Sequence, residues 1–528
     1  MPIQSQVKKN LYKDSVALML ICQQVIARTG VKRTTLLMGT RGNKDILAQA
    51  NLLQAEVEAA LPSDIMIIVE DDAQDVIEAA LREVDVLIEG EDVPKGSQAE
   101  AVRPPRSLAM GVSRGDAVNI AQISVPGAYA GAEAIKALRL GLSVFLFSDN
   151  VPIEQERAIK QLAAKKGLLV MGPDCGTAIL NGVPLGFANV VRRGRIGIVA
   201  ASGTGLQEVA TQIHRLGEGI SHAIGTGGRD VYEEIGASTM RQGLDLLAKD
   251  AATDVIVIVS KPPAQRVTER IMALASDIRK PVVVLFLGSD AGGHAANGGV
   301  YPVGTLEAAA GVAVALARGM SGADVAAGIS VETAPPAVDT AKFGATQRYL
   351  RALYSGGTFC AETQVIWREA GIRTFSNTAL DEDNALADPL QSREHSAIDL
   401  GDDVFTVGRP HPMIDSTLRV ERLLQEARDP SVAVVVLDVV LGYGSHEDPA
   451  GALAPAIVEA RRLARQEGRE LAIVSFVCGT EDDPQRLSVQ RAKLQDAGAM
   501  LVTGSTAAAR LAAAIAIRLD SARQTRGN

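Results

Sequence analysis

Aromatic side chains are scarce here: they make up 3% of 528 residues, with a single tryptophan. Base-stacking platforms for nucleic acid need exposed aromatics, so that mode of binding is disfavoured. Basic residues are not in excess either. Fifty-three Lys and Arg against 62 Asp and Glu give a formal net charge of −9, with no basic stripe, which argues against nucleic acid and anionic membrane as partners. No stretch approaches the ~20 uninterrupted apolar residues of a membrane span. The N-terminal MPIQSQVKKNLYKDS lacks the apolar core of a signal peptide. Cys22, Cys175, Cys360 and Cys478 are scattered and form no CxxC pair, so neither a disulfide framework nor a cysteine metal site is expected, and the chain reads as reduced and cytoplasmic. There is no Walker A sequence.

What is present fits an α/β protein of several domains. The length exceeds one hydrophobic core and predicts three or four domains. Abundant Ala and Gly suit helices packed closely on sheets. Residues 1–110 read as a small ferredoxin-like α/β sandwich, with a helix at 15–28, strands at 33–40 and 64–70, a helix at 72–88, and a polar linker from 89. Residues 111–191 alternate strand and helix in a parallel, Rossmann-like arrangement. No GxGxxG follows its first strand, so a nicotinamide dinucleotide is not indicated. Residues 192–322 open with IGIVAASGTGLQE (196–208), a buried strand, a small-residue turn and a helix. Two more buried strands and a closing helix complete a doubly wound parallel sheet. Residues 323–341 read as a linker, and residues 342–520 repeat the preceding unit. LRALYSGGTFCAETQVIWREAG (350–371) parallels the opening strand, turn and helix of the first copy.

The duplication provides two helix starts of one kind. Ser202, Gly203, Thr204 and Gly205 form the first, and Ser355, Gly356, Gly357 and Thr358 the second. Free backbone N–H groups and the positive end of a helix hold anions, and glycine lets a phosphate approach the backbone. Against this stands plain helix capping by serine. Gly225, Gly227, Gly228, Arg229 and Asp230 form a glycine-rich turn whose Arg can clamp a carboxylate or phosphate; the alternative is a surface Arg–Asp pair. Arg409 and His411 lie in GRPHPMID, a proline-restricted loop suited to presenting side chains. Further candidates are Asp174 and Cys175 in MGPDCG and His294 in GGHAANGG. Cys175 has no evident base beside it, which favours a buried structural thiol. His446 has no supporting pattern, and no metal-ligand cluster is visible.

MGPDCG (171–176), ASGTG (201–205) and IGTGGRD (224–230) resemble segments of the succinyl-CoA synthetase superfamily. NLYKDSVALM (10–19), MGPDCGTAI (171–179), HAIGTGGRD (222–230), VSKPPA (259–264), DLGDD (399–403) and GRPHPMID (408–415) resemble the FdrA family, annotated in general as acyl-CoA synthetase-like. The resemblance covers residues 10 to about 510. It implies a Rossmann-like CoA-binding-type domain followed by two tandem flavodoxin-like, succinyl-CoA-ligase-type domains with parallel sheets. It further implies acyl-phosphate or acyl-thioester chemistry, with CoA and phosphate as ligands, Mg²⁺ carried by the phosphate, and partner subunits or a homo-oligomer. One branch of the family is a subunit of a carbamoyltransferase that converts oxalurate and phosphate to oxamate and carbamoyl phosphate in allantoin catabolism. The superfamily carries phosphate on a loop histidine, to which His294 is a loose counterpart. No segment resembles the ATP-grasp domain of nucleotide-using ligases, which favours transfer without ATP. A CoA-ligase-like subunit and a non-catalytic scaffold are the competing expectations.

Overall fold

In the computed structural model the residues described are 2–90, 105–289, 299–320 and 340–527, apart from 12, 14, 41–42, 45–46, 49–51, 116 and 407–408. His294 and most of the 323–341 and 89–107 linkers lie outside the described residues. The chain divides into two units. One comprises Met1–Ser107 with Thr406–Pro410, the other Leu108–Phe405 with His411–Asn528.

The first unit is built on β3 (Ile65–Glu70), which pairs antiparallel with β1 (Ile3–Lys8) and with β2 (Arg33–Met38). Its IMIIV run is buried on both faces. Ile65, Ile67 and Val69 pack under Leu18, Ile21 and Val25 of the Ser15–Thr29 helix and Ile77, Ala80 and Val84 of the Gln74–Gly90 helix. Met66 and Ile68 pack with Leu47, Leu52 and Val57. The strand–helix–strand step from β1 to β2 skips over β3, as in a ferredoxin-like sandwich. The expected order, strand–helix–strand–helix–strand–helix, includes this first strand without giving it a range, because IQSQVK carries almost no apolar alternation. Its register comes from the partner strand.

The second unit begins with a three-stranded parallel sheet of β4 (Ile120–Ile123), β5 (Ser143–Leu146) and β6 (Val170–Met171). The chain then forms a hairpin of β7 (Thr177–Leu180) and β8 (Val183–Gly186) around Asn181-Gly182, both at positive φ. Asn-Gly favours this tight turn. The hairpin pairs antiparallel with the Ile220–Gly225 strand and extends the next sheet.

That sheet contains β9 (Arg193–Ala201), β10 (Ile220–Gly225), β11 (Val255–Ser260), β12 (Val282–Phe286) and β13 (Val300–Val303). The strands run in the order β13-β12-β11-β9-β10-β7-β8. The following sheet contains β14 (Tyr349–Tyr354), β15 (Ser396–Asp399), β16 (Val432–Val440), β17 (Ala472–Cys478) and β18 (Met500–Leu501), in the order β15-β14-β16-β17-β18. Numbered within each copy, the five parallel strands follow one order, 2-1-3-4-5, which is the flavodoxin-like order. The internal repeat expected from sequence is therefore a repeat of topology.

A shared core joins the two copies. Leu206, Val209 and Ile213 of the Gly203–Arg215 helix belong to one buried cluster with Ala309 and Ala313, Phe359 and Trp367, and Ala512 and Ala516. These come from four helices that lie together because their contact faces are largely alanine. The lone tryptophan donates its indole N–H to the carbonyl of Ala509 at 2.9 Å. Thr204 through His214 are all buried. The polar members of that run must therefore find partners inside. Gln207 bonds Asn189 and Gln212 bonds Glu208.

Candidate functional site

Each repeat launches its first helix from the carboxyl end of its first strand. In the first copy β9 leads to Ser202, whose backbone is extended and whose Oγ accepts the N–H of Gly205 at 3.0 Å. In the second copy the cap is Gly356, with no side-chain capping bond, and the helix runs Gly357–Glu369. The two starts meet. Ser202 Oγ and Thr358 Oγ1 share a hydrogen bond of 2.5 Å. A Cβ on Gly356 would stand 2.4 Å from Thr204, and one on Gly205 would stand 2.9 Å from Thr358. Each turn thus needs glycine where the other turn's threonine arrives.

The cap positions also set the register between copies. Ser202 matches Gly356, Thr204 matches Thr358, and Glu208 matches Glu362. Ser355 therefore stands one residue before the cap and is not the partner of Ser202. Its N–H reaches the Asp438 carboxylate at 3.1 and 3.3 Å, and its hydroxyl donates to the same group. Asp438 is fully buried in β16 and takes a 2.7 Å ion pair from Arg419. Ser355 is thus committed to the fold, which corrects its expected place among the anion ligands.

The second start is instead flanked by groups that sequence reasoning left without a role. A Cβ on Gly357 would lie 2.4 Å from Asp399 Oδ2 and 2.9 Å from Lys261 Nζ. Lys261 directly follows β11, and Asp399 ends β15. Asp399 Oδ1 accepts the N–H of Gly401 at 3.0 Å. Burial holds this carboxyl up at about 6, aided by Asp402 and Asp438 and opposed by Lys261. His411 belongs here as well, since a Cβ on Gly401 would stand 2.7 Å from its Nε2. His411 Nδ1 accepts the N–H of Met413 at 3.2 Å. Burial, with the nearby Arg419 charge, lowers its pKa to about 4. The ring is therefore neutral, and the bond to Nδ1 assigns its proton to Nε2, on the Gly401 side.

The glycine-rich turn after β10 has a different task. Gly227 is at φ 82, and a Cβ there would fall 2.1 Å from the carbonyl of Pro173. Gly225 is similarly closed by Thr177 and the Cys175 sulfur, whereas Gly228 stays open. Arg229 is tied to the carbonyl of Val151 at 2.6 Å and to Glu156 at 3.0 Å. Asp230 accepts Lys160 Nζ at 2.7 Å and caps the Ser238–Lys249 helix through the N–H groups of Thr239 and Met240. Lys160 also pairs with Glu156 at 2.9 Å. Arg229 and Asp230 are thus the ends of a four-member ionic chain, with Glu156 and Lys160 buried at its centre. They hold the segment after β5 to the next sheet, and each is paired with another residue rather than with the other.

Cys175 is buried, and burial pushes its thiol up to about 12, so it is no nucleophile. Asp174 is exposed overall, yet protein crowds its carboxyl. That desolvation, with the charges of Asp149 and Asp403, pushes it up to about 7, against Arg229 and Lys261. Lys261 thus acts on both Asp174 and Asp399. Arg409 is exposed and falls in the first unit. His446 Nδ1 accepts the N–H of Asp448 within its own turn. Among the described residues no group of three or more His, Cys, Asp or Glu is arranged to hold a metal, and no helix is long and apolar enough to cross a membrane. A surface hollow beside β18, lined by Arg461, Arg465, Glu470 and Met500, includes none of the residues above.

Comparison with known proteins fits this geometry. Three family models match: "AllF, heavy metal-associated domain" over residues 1–104, "CoA binding domain" over 191–288 and "CoA-ligase" over 353–515. The uncharacterized protein YahF of Escherichia coli (strain K12) is 42% identical over 507 residues, covering 96% of this chain and 97% of YahF. The chain belongs to the FdrA family, within the succinyl-CoA synthetase superfamily. This FdrA-type chain is also 28% identical over 176 residues to the alpha subunit of the ADP-forming succinate–CoA ligase of Aquifex aeolicus (strain VF5). That match spans 32% of the chain and 56% of the alpha subunit, so little more than half of the ligase subunit is represented. The dinucleotide-forming acetyl-coenzyme A synthetase 1 of Ca. Korarchaeum cryptofilum aligns over 82% of this chain and 90% of its own, at 17% identity and a TM-score of 0.33. That likeness is too loose to carry an argument.

Proposed function

We propose that this chain is an acyl-CoA-ligase-type enzyme subunit that holds the phosphate of an acyl phosphate at the Gly356–Thr358 helix start. One observation carries the reading. At the interlocked pair of helix starts, the one without a side-chain cap is also the one flanked by Lys261 Nζ, with His411 Nε2 beside Gly401 in the adjoining loop. First-turn N–H groups and a cation meet there, which suits a phosphate oxyanion. When the CoA thiol attacks the acyl carbonyl, the carbon–oxygen bond to phosphate breaks and the thiol proton passes to the phosphate, which leaves as hydrogen phosphate. The helix start and Lys261 then stabilise the charge left on the departing phosphate. The matches to CoA-ligase and CoA-binding models support CoA as the acceptor.

Calorimetry of the full chain with inorganic phosphate, acetyl phosphate and CoA tests this reading. Binding of phosphate and acetyl phosphate, lost in Lys261→Ala, is expected. No heat with any of the three would overturn it. A second reading replaces CoA by a carbamoyl acceptor: phosphate and oxalurate yield carbamoyl phosphate and oxamate at the same helix start. The carbamoyltransferase branch of the family motivates it, whereas the matched models over the two parallel sheets name CoA chemistry. Carbamoyl phosphate formed from oxalurate on co-expression with partner subunits would select it.

A further inference from the structure

We propose that the Gly356–Thr358 start binds its oxyanion together with one proton, carried by Asp399, so that this carboxyl donates a hydrogen bond to a doubly charged phosphate-type ligand. The proposal rests on the anion-binding reading above and adds the charge state that reading requires.

Asp399 is 6% exposed. One of its oxygens is used, accepting from Gly401. The other, Oδ2, receives no hydrogen bond from the described residues and is the atom that would come within 2.4 Å of a Cβ on Gly357. It is thus an unpartnered oxygen of a buried side chain, beside the start of the helix. An ionised oxygen there would oppose any arriving anion, whereas a protonated one would add a donor.

The surrounding charges lead to the same state. Lys261 faces the site from the segment after β11, and Asp402 lies in the loop that follows Asp399. Asp438 in β16 is met by Arg419, His411 is neutral, and Cys360 on the helix is a thiol that burial raises to about 11. With Asp399 ionised, Lys261 and Asp399 cancel. With it protonated, the site carries one positive charge besides the helix dipole, the better match to a dianion. Burial already holds this carboxyl up at about 6, and the bound dianion raises it further, above the pH range tested. The proton comes from solvent and returns there when the anion leaves.

Sulfate is the probe, because it stays a dianion across neutral pH and any proton taken up belongs to the protein. Its binding to the full chain is measured by calorimetry in two buffers of different ionisation enthalpy, from pH 6.5 to 8.5. Wild type is expected to take up close to one proton per sulfate at pH 7.5 and to lose affinity about tenfold per pH unit. Asp399→Asn is expected to bind with no uptake and little pH dependence. Sulfate binding without uptake by wild type, or with uptake retained in Asp399→Asn, would overturn the proposal and leave the anion site standing. Failure of wild type to bind either sulfate or phosphate would remove both. If Asp399→Asn does not fold, the buffer dependence of the wild-type heat decides alone.

Discussion

The two helix starts share a strand order, a threonine and a buried glutamate, yet they differ in what fills them. The first is closed by its own serine: Ser202 takes up the N–H of Gly205 and also meets Thr358. The second has glycine at the cap, and its neighbouring serine is drawn away by Asp438. What stands around it instead is Lys261, Asp399 and His411. Duplication preserved the scaffold, and a few side chains at the strand ends made one copy a capped helix and the other a candidate site. The shared fold locates both starts, but the chemistry follows the unshared residues.

Five substitutions bear on that comparison. Asp438→Ala should act most strongly, because it leaves the Arg419 guanidinium buried without its partner. Such a loss costs about 3–5 kcal/mol, read as a lower urea midpoint. Gly357→Ala against Gly203→Ala is the sharpest contrast. The first puts a methyl group against Asp399 Oδ2 and Lys261 Nζ and should abolish phosphate binding. The second meets only Thr177 Oγ1 at 3.7 Å and should leave binding intact. Equal effects on phosphate titration would erase the asymmetry.

Glu362→Gln addresses the matched glutamates. Glu362 joins the copies by accepting the N–H of Leu306 and the Thr506 hydroxyl, both at 2.8 Å. Burial lifts its carboxyl from its ordinary 4.5 to about 7, with Glu208 adding to the rise. Between those values the unfolded chain has released a proton that the folded chain keeps, so Glu362 makes stability fall as pH rises from about 4.5 to 7. Glu362→Gln should flatten that slope in denaturant titrations. Ser202→Ala is the mildest. Loss of the cap costs about 1 kcal/mol, and phosphate binding should survive.

Much of this was legible in the sequence. The strand–turn–helix openings, the repeat and the buried runs around 196, 255, 282, 350 and 432 follow from apolar runs ending in small residues. β1 was legible only as a place in the element order, without bounds, because a polar strand is specified by its partner. The β7–β8 hairpin was: Asn181-Gly182 between apolar pairs is a turn signal that went unread. At the site, glycine spacing found the right turns and the paralleled segments were in register, but grouping Ser355 with Ser202 as turn serines hid that the second cap is Gly356. Lys261 and Asp399 each stand at the end of an apolar strand, where parallel sheets place their ligands, and Asp438 is a charge inside nine buried residues. Those signals were present in VSKPPA, DLGDD and VVVLDVVLG. That Arg229 and Asp230 belong to an ionic chain could not be read, because Glu156 and Lys160 are remote in sequence.

The central claim is that the second start, and not the first, receives the anion. A crystal structure of the full chain grown with millimolar phosphate tests it most directly. The account predicts phosphate on the first-turn N–H groups of Gly357 and Thr358, within hydrogen-bonding distance of Lys261 Nζ. Phosphate at Ser202–Gly205 with the second start empty would contradict it.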